Sequence, residues 1–238
     1  MAHGMDTSRL DLSIGAGWAF SKDTVFSDEN CAFISPAAYF GCGTGSDGRR
    51  LGTYGDFGDT PVVDVGIGYT VNDWLHTEFQ FAYRPGLEFS GISNFIGAPA
   101  SEQFVDADVD NFSAMAIANL KLAPLLGMME GPIQPFLSVG AGLSHNRIDQ
   151  MVYRFPTLDP AGSTITRGGE STEFAWMAGG GIDISLHEKV TASLLYRYVD
   201  LGKVRTDRGD IQIIRDGRDD RFIAVNETRS RLSTNEFM

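Results

Sequence analysis

The stretch that most constrains the fold is Phe174–Leu201, FAWMAGGGIDISLHEKVTASLLYRYVDL. It alternates with a period of two on both sides of a short turn, which is the signature of paired strands. Phe174, Trp176, Ala178, Gly180, Ile182 and Ile184 share a face in the first arm; Val190, Ala192, Leu194, Tyr196 and Tyr198 share one in the second. This face is uncharged and rich in aromatic side chains. The opposite face carries Ala175, Met177, Gly179, Gly181 and Asp183, then Thr191, Ser193 and Arg197. A soluble sandwich hides its apolar face under a second sheet. Here the second face is small or polar, which suits a narrow polar interior. The pattern is that of a β-barrel with its oily side turned out to lipid.

Other segments repeat it. Arg9–Phe20, Pro61–Val71, Leu75–Tyr83 and Gln134–Ser144 alternate in the same sense, and Phe222–Met238 begins a further strand. Gln103–Leu122 is weaker, because its outward set is mostly alanine (Ala114, Ala116, Ala118) and Ile117 falls inside. The short connections are Asn72-Asp73, Pro124–Pro132 and His187–Lys189; long ones start at Ser21, Leu87, Pro156 and Gly202. A helical turn is expected around Leu125–Met129, and a short helix or added hairpin near Ala32–Phe40. Tight turns at one end and long loops at the other are the asymmetry of outer-membrane barrels. The expected fold is all-β: one domain over residues 1–238, an eight-stranded antiparallel up-and-down transmembrane barrel with a polar interior and its long loops at one end.

No apolar run is long enough for a transmembrane helix, but a barrel strand needs only about 9–11 residues to cross. The net charge of −12 argues against nucleic acid as a partner. The opening MAHGMDTS has no charged region followed by an apolar one; residues 1–5 read as a tag, and an exported chain starting here is a mature form. At the other end, Leu232–Met238 breaks off as its alternation begins, so further natural residues are expected there. Cys31 and Cys42 share one polar, glycine-rich loop. In an oxidising compartment they would close it by a disulfide; the alternative is two free thiols. With no histidine nearby, zinc is disfavoured.

The inward set is Asp11, Asp64, His76, Glu78, Gln80, Arg84, Asn119, Lys121, Asp183 and Arg197. An eight-stranded barrel is just wide enough for side chains to fill, and buried charges must pair. Asp64, Glu78, Arg84, Lys121, Asp183 and Arg197 are therefore expected to form an interior ion-pair network, with Glu78 and Arg197 at its centre. A gated ion or proton path is the competing reading. Ser144 and His145 sit where a rim catalytic site would lie, but strand neighbours point to opposite faces and cannot readily form a nucleophile–base pair. Asp106, Asp108 and Asp110 alternate on one face and are a weak calcium candidate. They lack the glycine and distal glutamate of a calcium loop, so a solvated acidic edge is the plainer reading. Gly179-Gly180-Gly181 is followed by no Lys-Ser/Thr and is no phosphate loop. No cofactor is implied.

PIQPFLSVGAGLS and EFAWMAGGGIDISLHEKVTASLLYRYVDLG resemble the fifth to seventh strands of small eight-stranded outer-membrane barrels of the opacity-porin type, similar in architecture to the transmembrane domain of outer-membrane protein A. The resemblance implies a closed barrel in the outer membrane of a Gram-negative bacterium. Barrels of this type end on an aromatic residue, usually phenylalanine; here Phe237 is followed by Met238. The resemblance does not imply one function. Expected partners are outer-membrane lipid and, through the long loops, other surface or envelope proteins. The candidate roles are a structural or surface-interaction protein, a narrow channel for ions or small solutes, and a lipid-modifying enzyme. Trp18, Tyr69, Tyr83, Trp176, Tyr196 and Tyr198 are expected in the interfacial girdle.

Overall fold

The computed structural model describes residues 9–28, 43–95, 103–126, 131–158, 161–187 and 189–238. Cys31, Cys42 and the element expected near Ala32–Phe40 lie outside them. The described strands are β1 (Leu10–Ser21), β2 (Thr24–Asp28), β3 (Thr53–Asp56), β4 (Asp59–Asn72), β5 (Leu75–Ser93), β6 (Phe104–Lys121), β7 (Ile133–Ile148), β8 (Val152–Phe155), β9 (Gly162–Ile165), β10 (Gly169–His187), β11 (Val190–Arg205), β12 (Gly209–Arg215), β13 (Arg221–Val225) and β14 (Thr228–Phe237). The one described helix is α1 (Leu122–Leu125), in the short connection where a turn is expected.

Eight of these strands close an antiparallel ring in the order β1, β4, β5, β6, β7, β10, β11, β14 and back to β1. Tight turns join them at one end. Asn72 makes the first of these turns, its Oδ1 accepting from the N–H groups of Trp74 (3.1 Å) and Leu75 (2.9 Å). β14 closes the ring where Phe237 lies opposite both Trp18 and Tyr196. Towards the tight-turn end, the β1 register over Leu10–Gly17 is with β4, and the β11 register over Val190–Leu194 is with β10.

The outward faces are apolar and bare. Leu12 is 84% exposed, Ile14 87%, Phe81 54% and Phe174 64%. The structure places no second layer of described residues over them, so lipid is their only apolar environment.

The described parts of the long connections are largely strand. Their six short strands extend the ring into a crown, with β2 and β3 between β14 and β5, and β8, β9, β12 and β13 following on from β6. This corrects the expectation of a long loop starting at Leu87. β5 instead runs on to Ser93 through a bulge: Arg84 lies opposite Asn111 and Leu87 opposite Val109, so β5 holds one extra residue. Gly86 occupies the left-handed region (φ +70°) that such a bulge demands. β11 has the same device between Asp200 and Lys203, with Gly202 at φ +77°.

The bulge moves the inward set of β5 from even to odd positions. Below it, Phe79 and Phe81 face out while Ala82 and Arg84 are buried; above it, Leu87 and Phe89 are buried and Glu88 is exposed. β6 makes the same chemical change without a bulge: its outward residues pass from Ala114, Ala116 and Ala118 through Phe112 to Asp110, Asp108 and Asp106. Each strand thus leaves the lipid belt and enters water part-way along. Inside, the crown packs as a soluble domain does. Phe26, Phe57 and Phe89 meet edge to face with centroids 4.8–6.0 Å apart. Leu51, Leu87, Met151, Tyr153, Ile211 and Val225 join the same buried cluster. Each such large side chain contributes roughly 1.5–3 kcal/mol by leaving water.

Candidate functional site

The polar centre of the barrel lies where the lipid-facing ring passes into the crown. Glu236, on the inward face of β14, is fully buried and clamps two buried arginines. Arg84 Nε donates to its Oε1 at 2.6 Å, and Arg197 Nε to its Oε2 at 2.7 Å. Thr234 Oγ1 adds a hydrogen bond of 2.9 Å. Arg197 also donates to Gln80 Oε1 (2.7 Å) and to Asp64 Oδ2 (3.3 Å). Arg84 reaches Asn111 Oδ1 (2.9 Å) and Ser113 Oγ (3.0 Å). Asn111 continues to Ser144 (2.7 Å) and Asn146 (2.6 Å), and Asn146 Nδ2 ends on the Leu201 carbonyl (2.9 Å).

Two guanidinium groups and two carboxylates make this cluster neutral, and strands β4, β5, β6, β7, β11 and β14 all supply it. Its burial is affordable only because nearly every donor and acceptor is used; a single missing partner would leave a charge in low dielectric. Glycine makes the room: a Cβ on Gly179 would press on Arg197, and one on Gly15 would collide with the Asp64 carboxylate. Past Arg197 and Glu236 towards the crown, Met177, Val199 and Leu232 are buried in the apolar cluster that runs on into it; Met115 and Ile117 belong to the same cluster from the tight-turn side of Ser113 on β6.

The structure brings together three of the six expected network residues, Asp64, Arg84 and Arg197. Glu78 is not the partner of Arg197. It accepts from Ser13 Oγ at 2.5 Å, lower in the barrel and partly exposed. Asp183 accepts from Ser193 Oγ (2.6 Å), and Lys121 lies beside α1 at the tight-turn end; neither reaches the cluster. His76 Nε2 lies 3.0 Å from Asp11 in the same lower, polar half. Glu236 is the member that sequence reasoning misses. Its signal was present, since Leu232, Thr234 and Glu236 alternate inward on β14.

Asp106, Asp108 and Asp110 point outward on the crown; Asp106 pairs with Arg154 and Arg147 lies opposite Asp110. No metal-binding group of three or more side chains occurs among the described residues. Ser144 Oγ is buried in the asparagine network, while His145 is on the outer wall with its Nδ1 3.1 Å from Thr172 Oγ1. The girdle is well formed: Tyr83 stacks on Phe112 at 4.4 Å, and Trp176 lies 5.3 Å from Tyr198.

No curated protein matches the chain. Among solved structures it is similar to Neisserial surface protein A, with 15% identity over 96% of this chain and 97% of that one and a TM-score of 0.37. The family model for the outer membrane protein beta-barrel domain matches residues 3–216. The chain therefore belongs to that family, and its place is the bacterial outer membrane.

Proposed function

We propose that this is a non-enzymatic barrel with a structural or surface-interaction role, its interior closed by the network centred on Glu236. The observation that carries this reading is what occupies the interior: the Arg84–Glu236–Arg197–Asp64 cluster, and buried apolar side chains from there into the crown. An ion crossing here would have to break buried ion pairs and then traverse an oily core. The polar lower half, with Asp11, His76 and Glu78, favours a channel only as far as the cluster. A lipid-modifying role finds no support at Ser144 and His145, which lie on opposite sides of the wall. What the barrel offers its surroundings is the outer wall of the crown, polar and built on ordered strands, a surface for other envelope or host-side proteins.

Planar-bilayer recording tests the closure. The full chain should show no steady conductance, and a regular unit conductance would overturn it. Deleting the β12–β13 hairpin should abolish adhesion of whole cells to their target surface without altering heat-modifiable gel mobility; unchanged adhesion would remove this hairpin from the interaction surface.

A further inference from the structure

Apolar side chains on the outer wall should end where lipid ends, yet on β5 and β6 they begin again higher up. Beyond Phe112, the outward face of β6 presents Asp110, Asp108 and Asp106 and then Phe104, eight residues along the strand from Phe112, or about 27 Å at the usual rise. Phe104 lies directly opposite Ile92 of β5, and Ile92 opposite Tyr54 of β3. Phe104 is 46% exposed and Ile92 36%. Three neighbouring strands thus hold an apolar row in water, separated from the membrane by three carboxylates. Scattered exposed apolar residues need no explanation, but a row joined across strands marks a contact surface. Its edges are charged: Arg49 lies 4.1 Å from the Tyr54 ring centroid, and Arg154 lies opposite Phe104. An apolar centre with a polar rim is the anatomy of a protein–protein interface.

The charge beside the row decides what it fits. Glu88 lies directly opposite Asp108, both exposed, and Asp110 follows on the same face. Like charges opposed in an antiparallel ladder destabilise it. The two nearby arginines are engaged elsewhere. Arg154 pairs with Asp106, and Arg147 lies 3.7 Å from Asp149 and 3.9 Å from Glu170. Among the described residues, no hydrogen bond or ion pair reaches the side chains of Glu88, Asp108 and Asp110. The face therefore carries uncompensated negative charge below its apolar row. A lone cation answers only half of this, since it would leave Ile92 and Phe104 in water, and no metal-binding group of three or more side chains occurs among the described residues.

We propose that the outer face of β5 and β6 in the crown docks a basic polypeptide segment in extended form, its cations on Glu88, Asp108 and Asp110 and an apolar side chain on the Ile92–Phe104 pair. Alternate side chains of an extended segment repeat at about 7 Å, the repeat of the outward positions on β6. Cations two residues apart therefore meet Asp110 and Asp108, and an apolar residue four places further on meets Phe104. Charges that meet in water supply steering and register, while the apolar row supplies the anchor. The inference rests on the surface-interaction reading and names the chemistry of the partner. It is independent of whether the bore is closed.

The test uses the full chain in micelles of an uncharged detergent, titrated with the peptide Lys-Ser-Lys-Ser-Ser-Ser-Leu and read by NMR. The amide signals of Ile92, Phe104 and Asp108 should shift together and saturate. Glu88→Gln with Asp108→Asn should weaken binding about fivefold, from the exposed ion pairs lost. Phe104→Ala should weaken it by about the same factor, as loss of the anchor. Changing the peptide's leucine to serine should weaken binding to the wild type but not further to Phe104→Ala. Asp210→Asn, an exposed acid on β12, should change nothing. Should the double variant lose its folded gel mobility, Asp110→Asn gives the same reading at about twofold. Equal binding by the wild type and the folded variant overturns the proposal, as does an equal loss with Asp210→Asn or a peptide that binds as well without its leucine. Calcium chloride alone shifting the same amides and displacing the peptide would assign the face to a metal ion instead. Loss of adhesion on deleting the β12–β13 hairpin, with no peptide binding here, would keep the surface role and reject this face.

Discussion

Replacing Glu236 by glutamine should destabilise the barrel far more than the same change at Glu78. Glu236 is fully buried and accepts from Arg84, Arg197 and Thr234 at 2.6–2.9 Å. Glutamine keeps the shape and one acceptor oxygen, but its amide nitrogen then confronts a guanidinium. Among the described residues, the two buried arginines are left with Asp64 as their only paired carboxylate, and of the two it reaches Arg197 alone. Breaking a buried pair from one side costs about 3–5 kcal/mol, and the retained oxygen places this case near the lower end, about 3 kcal/mol. For a domain of this size each kcal/mol moves the melting temperature by about 2–4 °C, so the fall should be about 6–12 °C. Glu78 is partly exposed and has one short bond from Ser13, so Glu78→Gln should cost about 1 kcal/mol or less. The assay is the temperature at which detergent-solubilised protein loses its fast gel mobility. The reasoning is refuted if Glu236→Gln melts within a degree or two of wild type, or if Glu78→Gln is the more damaging.

Two further outcomes follow from the crown. Phe89→Ala removes one ring of the Phe26–Phe57–Phe89 cluster and should cost about 3–5 kcal/mol, read as faster hydrogen exchange at Val105 and Val109 while the lipid-belt amides stay protected. In the Asp47 turn, desolvation pushes the carboxyl up, but hydrogen bonds from Arg49 and Asn94 outweigh it and hold it down at about 2. A depressed acid adds stability above its ordinary value of 3.8 and loses it as pH falls towards 2. Asp47→Asn should therefore flatten the stability–pH curve in that window, and an NMR titration of Asp47 with a midpoint near 4 would contradict it.

The ring was legible because period two and lipid together write a strong signal: the Phe174–Leu201 hairpin needs no structure to be read. The crown was not, because each strand changes solvent along its length. β6 looks weak as a lipid-facing strand since Asp106, Asp108 and Asp110 occupy the same outward face as Ala114, Ala116 and Ala118. On β5 the extra residue at Pro85-Gly86 shifts the alternation, so a single period fits neither half. The site was half legible for a related reason. Inward charge could be read strand by strand, which found Asp64, Arg84 and Arg197. Which charges share a level depends on the stagger of the ring, which brings Glu236 between the arginines and leaves Glu78 below them.

The most direct test of the account is nitroxide scanning along β5 from Leu75 to Ser93 in lipid vesicles, comparing collision with oxygen, which concentrates in lipid, and with a water-soluble nickel complex. Oxygen accessibility should peak at Thr77, Phe79, Phe81 and Tyr83. Past Gly86 the exposed positions should become Glu88, Ser90 and Ile92, accessible now to nickel. A scan with no alternation, or with nickel reaching Phe79 and Phe81 as readily as Glu88, would contradict a strand that crosses lipid and then enters water at its bulge.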